Sequence, residues 1–168
     1  MAFYSFRQIH YMKLIAHRGN INGPDLLNEN NPEHIDNIIL QGYDVEIDIR
    51  FDDDTKQFFL GHDYSKYLVN WSWLYKHKEK LWIHCKNIEA LYQFSFNLDD
   101  YNYFWHEQDS YTMTSKKYIW SYPGKKYNSK SIILMPELNL FEFINCEYIV
   151  MKHYDCFGIC SDYVGKIK

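Results

Sequence analysis

The sequence has no apolar run of the ~20 residues needed to span a bilayer, and its N-terminus carries no uninterrupted apolar stretch of signal-peptide length. It also lacks low-complexity tracts, internal repeats and a recognisable linker. The 168 residues therefore predict one domain, in the cytoplasm and without stable membrane insertion. Because strand-like sequence begins at residue 12, we expect residues 1–11 to form an N-terminal arm and residues 12–168 to form the domain.

Paired cysteines and a large net charge are missing as well. The four cysteines include no C-x-x-C pair, and the Cys156/Cys160 spacing lacks a second ligand pair, so a structural zinc site is not indicated. We expect reduced thiols. A formal net charge of −4 gives no general attraction to nucleic acid, so the expected partner is a small molecule. The sequence does not indicate an oligomeric state.

Short apolar runs that end in polar residues are abundant, and 46% of all residues are hydrophobic. They predict eight strands, at residues 13–17, 43–51, 57–62, 81–86, 103–107, 118–122, 131–135 and 157–162. Residues 32–41 and 87–97 predict helices, the second capped by Asn87. This alternation predicts an α/β fold, a compact TIM-type (β/α) barrel with reduced helices, and the turn at 52–57 adds a β-hairpin extension after the second strand.

Residues with catalytic potential follow the first strand and lie within the second. In His17-Arg18-Gly19 the imidazole can carry a proton near neutral pH, and the guanidinium can hold a phosphate with two hydrogen bonds. Glu46 and Asp48 alternate on one strand, so they share a face and repel each other unless a cation neutralises them. The alternatives are a surface His-Arg pair before a turn and two solvated carboxylates on an outer wall.

His62 and Lys86 extend this set. His62 lies in Gly61-His62-Asp63 near the end of the hairpin, where it supplies a second imidazole. Cleavage of a phosphate ester needs both an acid and a base, because the attacking oxygen loses a proton as the leaving oxygen gains one. Lys86 ends the strand LWIHCK and can hold a phosphate oxygen. An exposed loop histidine and a solvated lysine are the competing interpretations.

The ordered series HRG at 17–19, PE at 32–33, GYDVEIDIR at 42–50, GHD at 61–63, Lys86 and GICSDY at 158–163 resembles the glycerophosphodiester phosphodiesterases, in the superfamily of phosphatidylinositol-phospholipase-C-like phosphodiesterases. The resemblance implies a TIM-barrel hydrolase of a short kind. It implies that His17 and His62 act as general acid and base, that Arg18 and Lys86 bind the substrate phosphate, and that Glu46 and Asp48 hold Mg²⁺ or Ca²⁺.

The chain departs from this family in the strand at residues 81–86. A glutamate commonly precedes the strand-terminal lysine by two residues there, whereas this chain has His84. Imidazole suits Mn²⁺ or Zn²⁺ better than Mg²⁺ or Ca²⁺, and Glu107 is a candidate for the missing carboxylate. The chain also lacks room for the family's usual insertion after the second strand. Five aromatic residues could line a substrate pocket, although the core is their commoner place: Trp71, Trp73, Trp105, Trp120 and Tyr122.

Three functions follow from these residues. The first is a metal-dependent hydrolase of glycerophosphodiesters, such as deacylated phospholipid head groups, with a role in lipid metabolism. The second is a phospholipase-D-like lyase that acts on a lipid or sugar phosphodiester and releases a cyclic phosphate. The third is a non-catalytic module that binds a phosphate ligand, which His84 favours.

Overall fold

The computed structural model describes residues 12–96, 100–139 and 154–167, and a mixed sheet of ten strands dominates it. The strands are β1 (Lys13–His17), β2 (Asp44–Asp52), β3 (Gln57–Leu60), β4 (Tyr67–Val69), β5 (Leu81–Cys85), β6 (Asn102–Trp105), β7 (Tyr111–Met113), β8 (Ile119–Ser121), β9 (Ser131–Leu134) and β10 (Gly158–Ser161). Three α-helices accompany them, α1 (Pro32–Leu40), α2 (Trp71–His77) and α3 (Ile88–Ser95). Two 3₁₀ turns lie at Pro136–Leu138 and Val164–Lys166.

Seven strands run parallel in the order β6-β5-β2-β1-β10-β9-β8, so the first and last strands of the chain are neighbours. Three strands are antiparallel to their partners: β3 pairs with the second half of β2, β4 pairs with β3, and β7 pairs with β8. The β2–β3 pair is the hairpin that the sequence predicts. The result is a curled, mixed half-barrel whose parallel strands all point their carboxyl ends to the same edge.

The prediction of a TIM-type barrel is wrong. Within the described ranges there are only three α-helices, of nine, seven and eight residues. The described sheet also does not close as a parallel barrel: β6 pairs only with β5, and β7 pairs antiparallel with β8. Residues 122–130, between β8 and β9, contain no helix. Their sequence, YPGKKYNSK, has a proline, a glycine and no apolar period of 3.6, so it cannot supply the helical face that a full βαβ unit packs on its sheet.

The predicted secondary structure is otherwise close to what is found. All eight predicted strands are present within one or two residues, whereas β4 and β7 are additional. Helix α1 begins with Pro32 after the Asn31 cap, and the Asn87 side chain caps α3 by accepting from Ala90 N–H at 3.2 Å. The side-chain amide of Asn87 also bonds to the backbone of Phe51. Its oxygen accepts from the Phe51 N–H at 3.1 Å and its nitrogen donates to the Phe51 carbonyl at 2.8 Å, so α3 is connected to the end of β2.

The two faces of the sheet are both packed. On the convex face, Val45, Ile47 and Ile49 of β2 belong to the cluster that includes the buried residues of α1 and α3. On the concave face a smaller cluster fills the base of the half-barrel: Ile15, Trp82, Phe104, Trp120, Ile132 and Cys160. Because side chains alternate along a strand, this packing places Glu46 and Asp48 on the concave face, above that cluster.

The structure describes three of the four cysteines. Cys85, Cys156 and Cys160 are free thiols, while Cys146 and the N-terminal arm at residues 1–11 lie outside the described residues. No helix in the described part of the chain is long and apolar enough to cross a membrane.

Candidate metal-binding active site

Glu46, Asp48 and His84 form a compact cluster of possible metal ligands. Glu46 and Asp48 alternate on β2, and the parallel register sets Asp48 beside His84 of β5. One ligand atom from each residue lies within 4.8 Å of the other two. His84 Nδ1 is 3.2 Å from Asp48 Oδ1 and 3.7 Å from Glu46 Oε1. Both carboxylates are almost completely buried, which makes their mutual repulsion costly without a positive charge between them.

The imidazole of His84 is fixed by its surroundings. Its Nε2 lies 2.9 Å from the carbonyl oxygen of His106, and its ring stacks on Phe104 with an interplanar angle of 9°. A carbonyl only accepts, so Nε2 carries a hydrogen and Nδ1 faces the carboxylates. Burial by itself would lower the pKa of His84, but contact with Asp48 and Glu46 outweighs it and raises the pKa to about 9. The ring therefore lies where a cation is favoured.

Asp48 has one anchored oxygen and one open oxygen. Its Oδ2 accepts from Asn30 Nδ2 at 3.1 Å and lies 3.1 Å from Arg18 Nε. Its Oδ1 is buried and has no hydrogen-bond partner among the described residues; the ring of His84 and, at 3.9 Å, the Lys86 amino group are nearby. Burial acts to raise the pKa of Asp48, but contact with His84 and the charge of Arg18 hold that pKa well below its usual range.

This donor set fits a divalent cation. An open, buried carboxylate oxygen and an imidazole nitrogen 3.2 Å apart match two adjacent ligands of a metal bound at about 2.0–2.2 Å from each. Two carboxylates with one imidazole suit Mn²⁺ or Zn²⁺ well, and Mg²⁺ or Ca²⁺ less well. Glu107, the other ligand that the sequence suggests, is exposed and is not part of the cluster.

His17 lies beside this cluster at the end of β1. Its Nδ1 is 2.8 Å from Asp162 Oδ1, and its Nε2 is 4.0 Å from Glu46 Oε2. Asp162 is held in turn by Asn20 Nδ2 at 2.8 Å and, through its backbone N–H, by Glu137 at 2.9 Å. Burial would lower the pKa of His17, but the hydrogen bond with Asp162 and the charge of Glu46 outweigh it, so the pKa is raised.

Arg18 adopts a left-handed backbone conformation with φ of 53°, and Gly19 follows at 88°. In this turn the Arg18 N–H donates to Glu46 Oε2 at 3.1 Å. Its guanidinium lies between two carboxylates, with Nε 3.1 Å from Asp48 and Nη1 3.2 Å from Glu29. Arg18 therefore joins the ligand cluster through both its backbone and its side chain, and part of its charge already compensates Asp48.

His62 follows β3, close to Asp48 of β2, whose carbonyl accepts from the Gly61 N–H at 3.0 Å. Its side chain is 37% exposed, and its Nδ1 lies 2.6 Å from Asp63 Oδ1. It lines a cavity of about 200 Å³ together with Arg18, Glu29 and Lys66. His62 is also among the groups that lower the pKa of Asp48 against the effect of burial, after His84 and Arg18. The cavity thus joins the second predicted proton carrier to the predicted phosphate-binding arginine.

Arg50 holds this rim in place. Its Nη2 donates to the His62 carbonyl at 2.7 Å and its Nη1 to the Lys86 carbonyl at 3.3 Å. Gly61 has φ of 147°, and a Cβ there would collide with the carbonyl of Tyr64. Both features fix the turn that presents His62.

Seven of the eight site residues that the sequence suggests take part in these contacts or line the cavity, and exposed Glu107 does not. Several supporting residues were not predicted. Asp162 and Arg50 lie within the quoted segments GICSDY and GYDVEIDIR, so their places at strand ends were an available signal. No sequence signal identifies Asn30, because it lies in a polar loop and only folding brings it to Asp48. Comparison with protein-family models, curated proteins and solved structures finds no match to this chain.

Proposed function

We propose that the chain is a metal-dependent phosphodiesterase that acts on glycerophosphodiesters through His17 and His62. The observation that carries this proposal is the buried cluster of Glu46, Asp48 and His84, with a histidine bound to a carboxylate on either side of it. The ordered motifs that resemble those of glycerophosphodiester phosphodiesterases also support the proposal.

The two histidines share one kind of contact, although His17 is buried and His62 is not. Nδ1 of each lies against a carboxylate, Asp162 for His17 and Asp63 for His62, and this leaves Nε2 of each for proton transfer. Such a carboxylate orients the ring, and for His17 its contact also raises the pKa against the effect of burial. Buried His17 and half-exposed His62 therefore provide the acid and the base that phosphodiester cleavage requires.

The phosphate is expected between the donor cluster and the cavity beside His62. Arg18 and Lys86 both lie near Asp48, with nitrogens 3.1 and 3.9 Å from its oxygens, so a phosphate bound there meets two positive side chains. A bound divalent cation would neutralise the phosphoryl oxygens and lower the pKa of the attacking oxygen.

The reaction has two steps, and each uses two proton transfers. The substrate hydroxyl next to the phosphate gives its proton to one histidine as its oxygen bonds to phosphorus, while the other histidine protonates the leaving oxygen as that P–O bond breaks. The product is a cyclic phosphate. Water then opens the ring with the roles of the histidines reversed, and glycerol 3-phosphate is released.

A panel of glycerophosphodiesters, assayed with Mg²⁺, Ca²⁺, Mn²⁺ and Zn²⁺ and followed by phosphorus NMR, tests the proposal. We expect metal-dependent release of glycerol 3-phosphate, and a loss of at least about 100-fold in kcat for His62→Asn. His77→Asn is the matched control, because His77 lies on α2 against Asp36, away from the cluster. Absence of metal-dependent turnover with every substrate would favour the non-catalytic binding module.

A lipid or sugar phosphodiester is the second candidate substrate, and one observation favours a lipid. Leu26 and Tyr64 line the same cavity as Arg18 and His62, and they are 76% and 66% exposed. An acyl-bearing phosphodiester would cover them. Leu26→Ser is then expected to lower kcat/KM only for acylated substrates, whereas Leu40→Ser, at an 84% exposed leucine that ends α1, changes neither class. Accumulation of a stable cyclic phosphate would identify the lyase reaction.

A further inference from the structure

His106 is a buried histidine for which the proposed reaction has no role. It follows β6 and is only 7% exposed. Neither Nδ1 nor Nε2 has a hydrogen-bond partner in the described part of the chain, although both atoms are buried. An imidazole buried without partners loses its hydrogen bonds to water and gains none in return, so this arrangement is unfavourable for the protein alone.

The position of His106 connects it to the candidate site. Its carbonyl oxygen accepts from His84 Nε2 at 2.9 Å, and its ring centroid is 6.4 Å from that of His84. Its ring is also 5.5 Å from that of Tyr122, which is 41% exposed. His106 therefore lies next to the donor cluster and next to an aromatic residue that reaches solvent. It is not part of the donor cluster itself.

The chemistry of the ring limits what it can bind. Asp109 is the one carboxylate whose charge acts on His106 among the described residues, and it makes no hydrogen bond to the ring. A neutral imidazole offers one N–H donor and one acceptor nitrogen. A phosphate or carboxylate oxygen is only an acceptor and satisfies one of the two nitrogens. A hydroxyl group both donates and accepts, so a group with neighbouring hydroxyls can satisfy both.

We propose that His106 binds the hydroxyl groups of a polyol or sugar portion of the substrate, beside the phosphate. The inference rests on the proposed function, because it places that portion next to the phosphate at the donor cluster. The missing hydrogen bonds of His106 are then made by substrate, and they discriminate against an analogue without hydroxyls.

Binding of two phosphates to the Mn²⁺-loaded protein tests this, measured by calorimetry. Glycerol 3-phosphate and propyl phosphate have three carbons and one phosphate each, but only the first has free hydroxyls. We expect the wild type to bind glycerol 3-phosphate at least about tenfold more tightly, and His106→Phe to bind the two about equally. His106→Gln, which keeps a donor and an acceptor, should recover part of the preference.

Stability and a control variant separate binding from structure. His106→Phe should have an unchanged or higher Tm, because it removes a buried group without partners. His77→Phe is the matched control: His77 is also 7% exposed but pairs with Asp36 at 2.8 Å, so this variant should lose stability and keep the preference. Equal affinity of the wild type for both phosphates, or a preference that persists in His106→Phe, would overturn this inference but not the proposed function. Failure of both phosphates to bind the wild type would overturn the proposed function and this inference with it.

Discussion

Substitution of Asn30 tests how Asp48 is held in place. The strand β1 pairs with β2 only as far as Glu46, and β3 begins to pair with it at Ile49. At Asp48, between these two paired stretches, the Asn30 side chain makes the hydrogen bond that a neighbouring strand would otherwise make. Its Oδ1 accepts from the Asp48 N–H at 2.9 Å, and its Nδ2 donates to Asp48 Oδ2 at 3.1 Å. Asn30 is buried and has φ of 60°, which glycine adopts without strain and alanine does not.

The cost can be worked from these contacts. Asn30→Gly keeps the backbone conformation and removes both hydrogen bonds, one of them to a charged group, so we expect a loss of about 2–4 kcal/mol in the free energy of unfolding. Asn30→Ala removes the same bonds and adds left-handed strain of about 1 kcal/mol. The affinity for Mn²⁺ should fall by about 10–100-fold in both variants, because Asn30 orients a metal ligand.

Urea denaturation and calorimetric Mn²⁺ titration of the two variants give these values. Asn37→Gly is a useful comparison for the loss of a side chain, since the exposed Asn37 side chain on α1 donates to the Glu33 carbonyl at 3.0 Å and does not contact the cluster. Its helical site adds a penalty of its own. The reasoning is refuted if Asn30→Gly keeps both its stability and its affinity for Mn²⁺.

Three further predictions concern other contacts of the site. In Arg50→Lys the new side chain cannot bridge the His62 and Lys86 carbonyls as the planar guanidinium does, so the loop that carries His62 should become less well held. We expect kcat to fall at least about tenfold with little change in Mn²⁺ affinity, and an unchanged kcat would contradict this. Glu107→Gln should bind Mn²⁺ within about twofold of the wild type, since Glu107 is exposed, and a large loss would mean that it is a ligand after all. Asp162→Asn removes the charge beside His17 Nδ1, and steady-state kinetics should show at least a roughly tenfold lower kcat with a folded, metal-binding protein.

The local elements were predictable because their signals are local. Short apolar runs bounded by polar residues identify strands, and Pro32 and Asn87 mark where two helices begin. The barrel prediction failed because it extended the α/β alternation to the second half of the chain, where residues 122–130 have no apolar helical face. The extra strand β7, with Tyr111 and Met113 both exposed, carries too little hydrophobic alternation to be recognised.

For the candidate site, too, what was predictable is what depends on local sequence patterns. Glu46, Asp48 and His84 were predictable as neighbours because the side-chain period of strands and the parallel order place them on one face. The contact of Asn30 with Asp48 depends on a loop that returns to β2, and no local pattern encodes such a return. Asp162 follows β10, which pairs with β1, so its place beside His17 comes from the strand order of the whole sheet. Glu107 illustrates the reverse: its nearness in sequence to β6 suggested a ligand, but the adjacent His106 carbonyl is the group that reaches His84.

Calorimetric titration of Mn²⁺ and Zn²⁺ into the protein freed of metal by chelation tests the central claim most directly, with Asp48→Asn and Glu107→Gln titrated alongside. The account predicts one cation per chain for the wild type and Glu107→Gln, and a loss of at least about 100-fold in affinity for Asp48→Asn, which removes a charged ligand from the cluster. Wild-type protein that binds neither ion, or Asp48→Asn that binds as tightly as the wild type, would contradict the account.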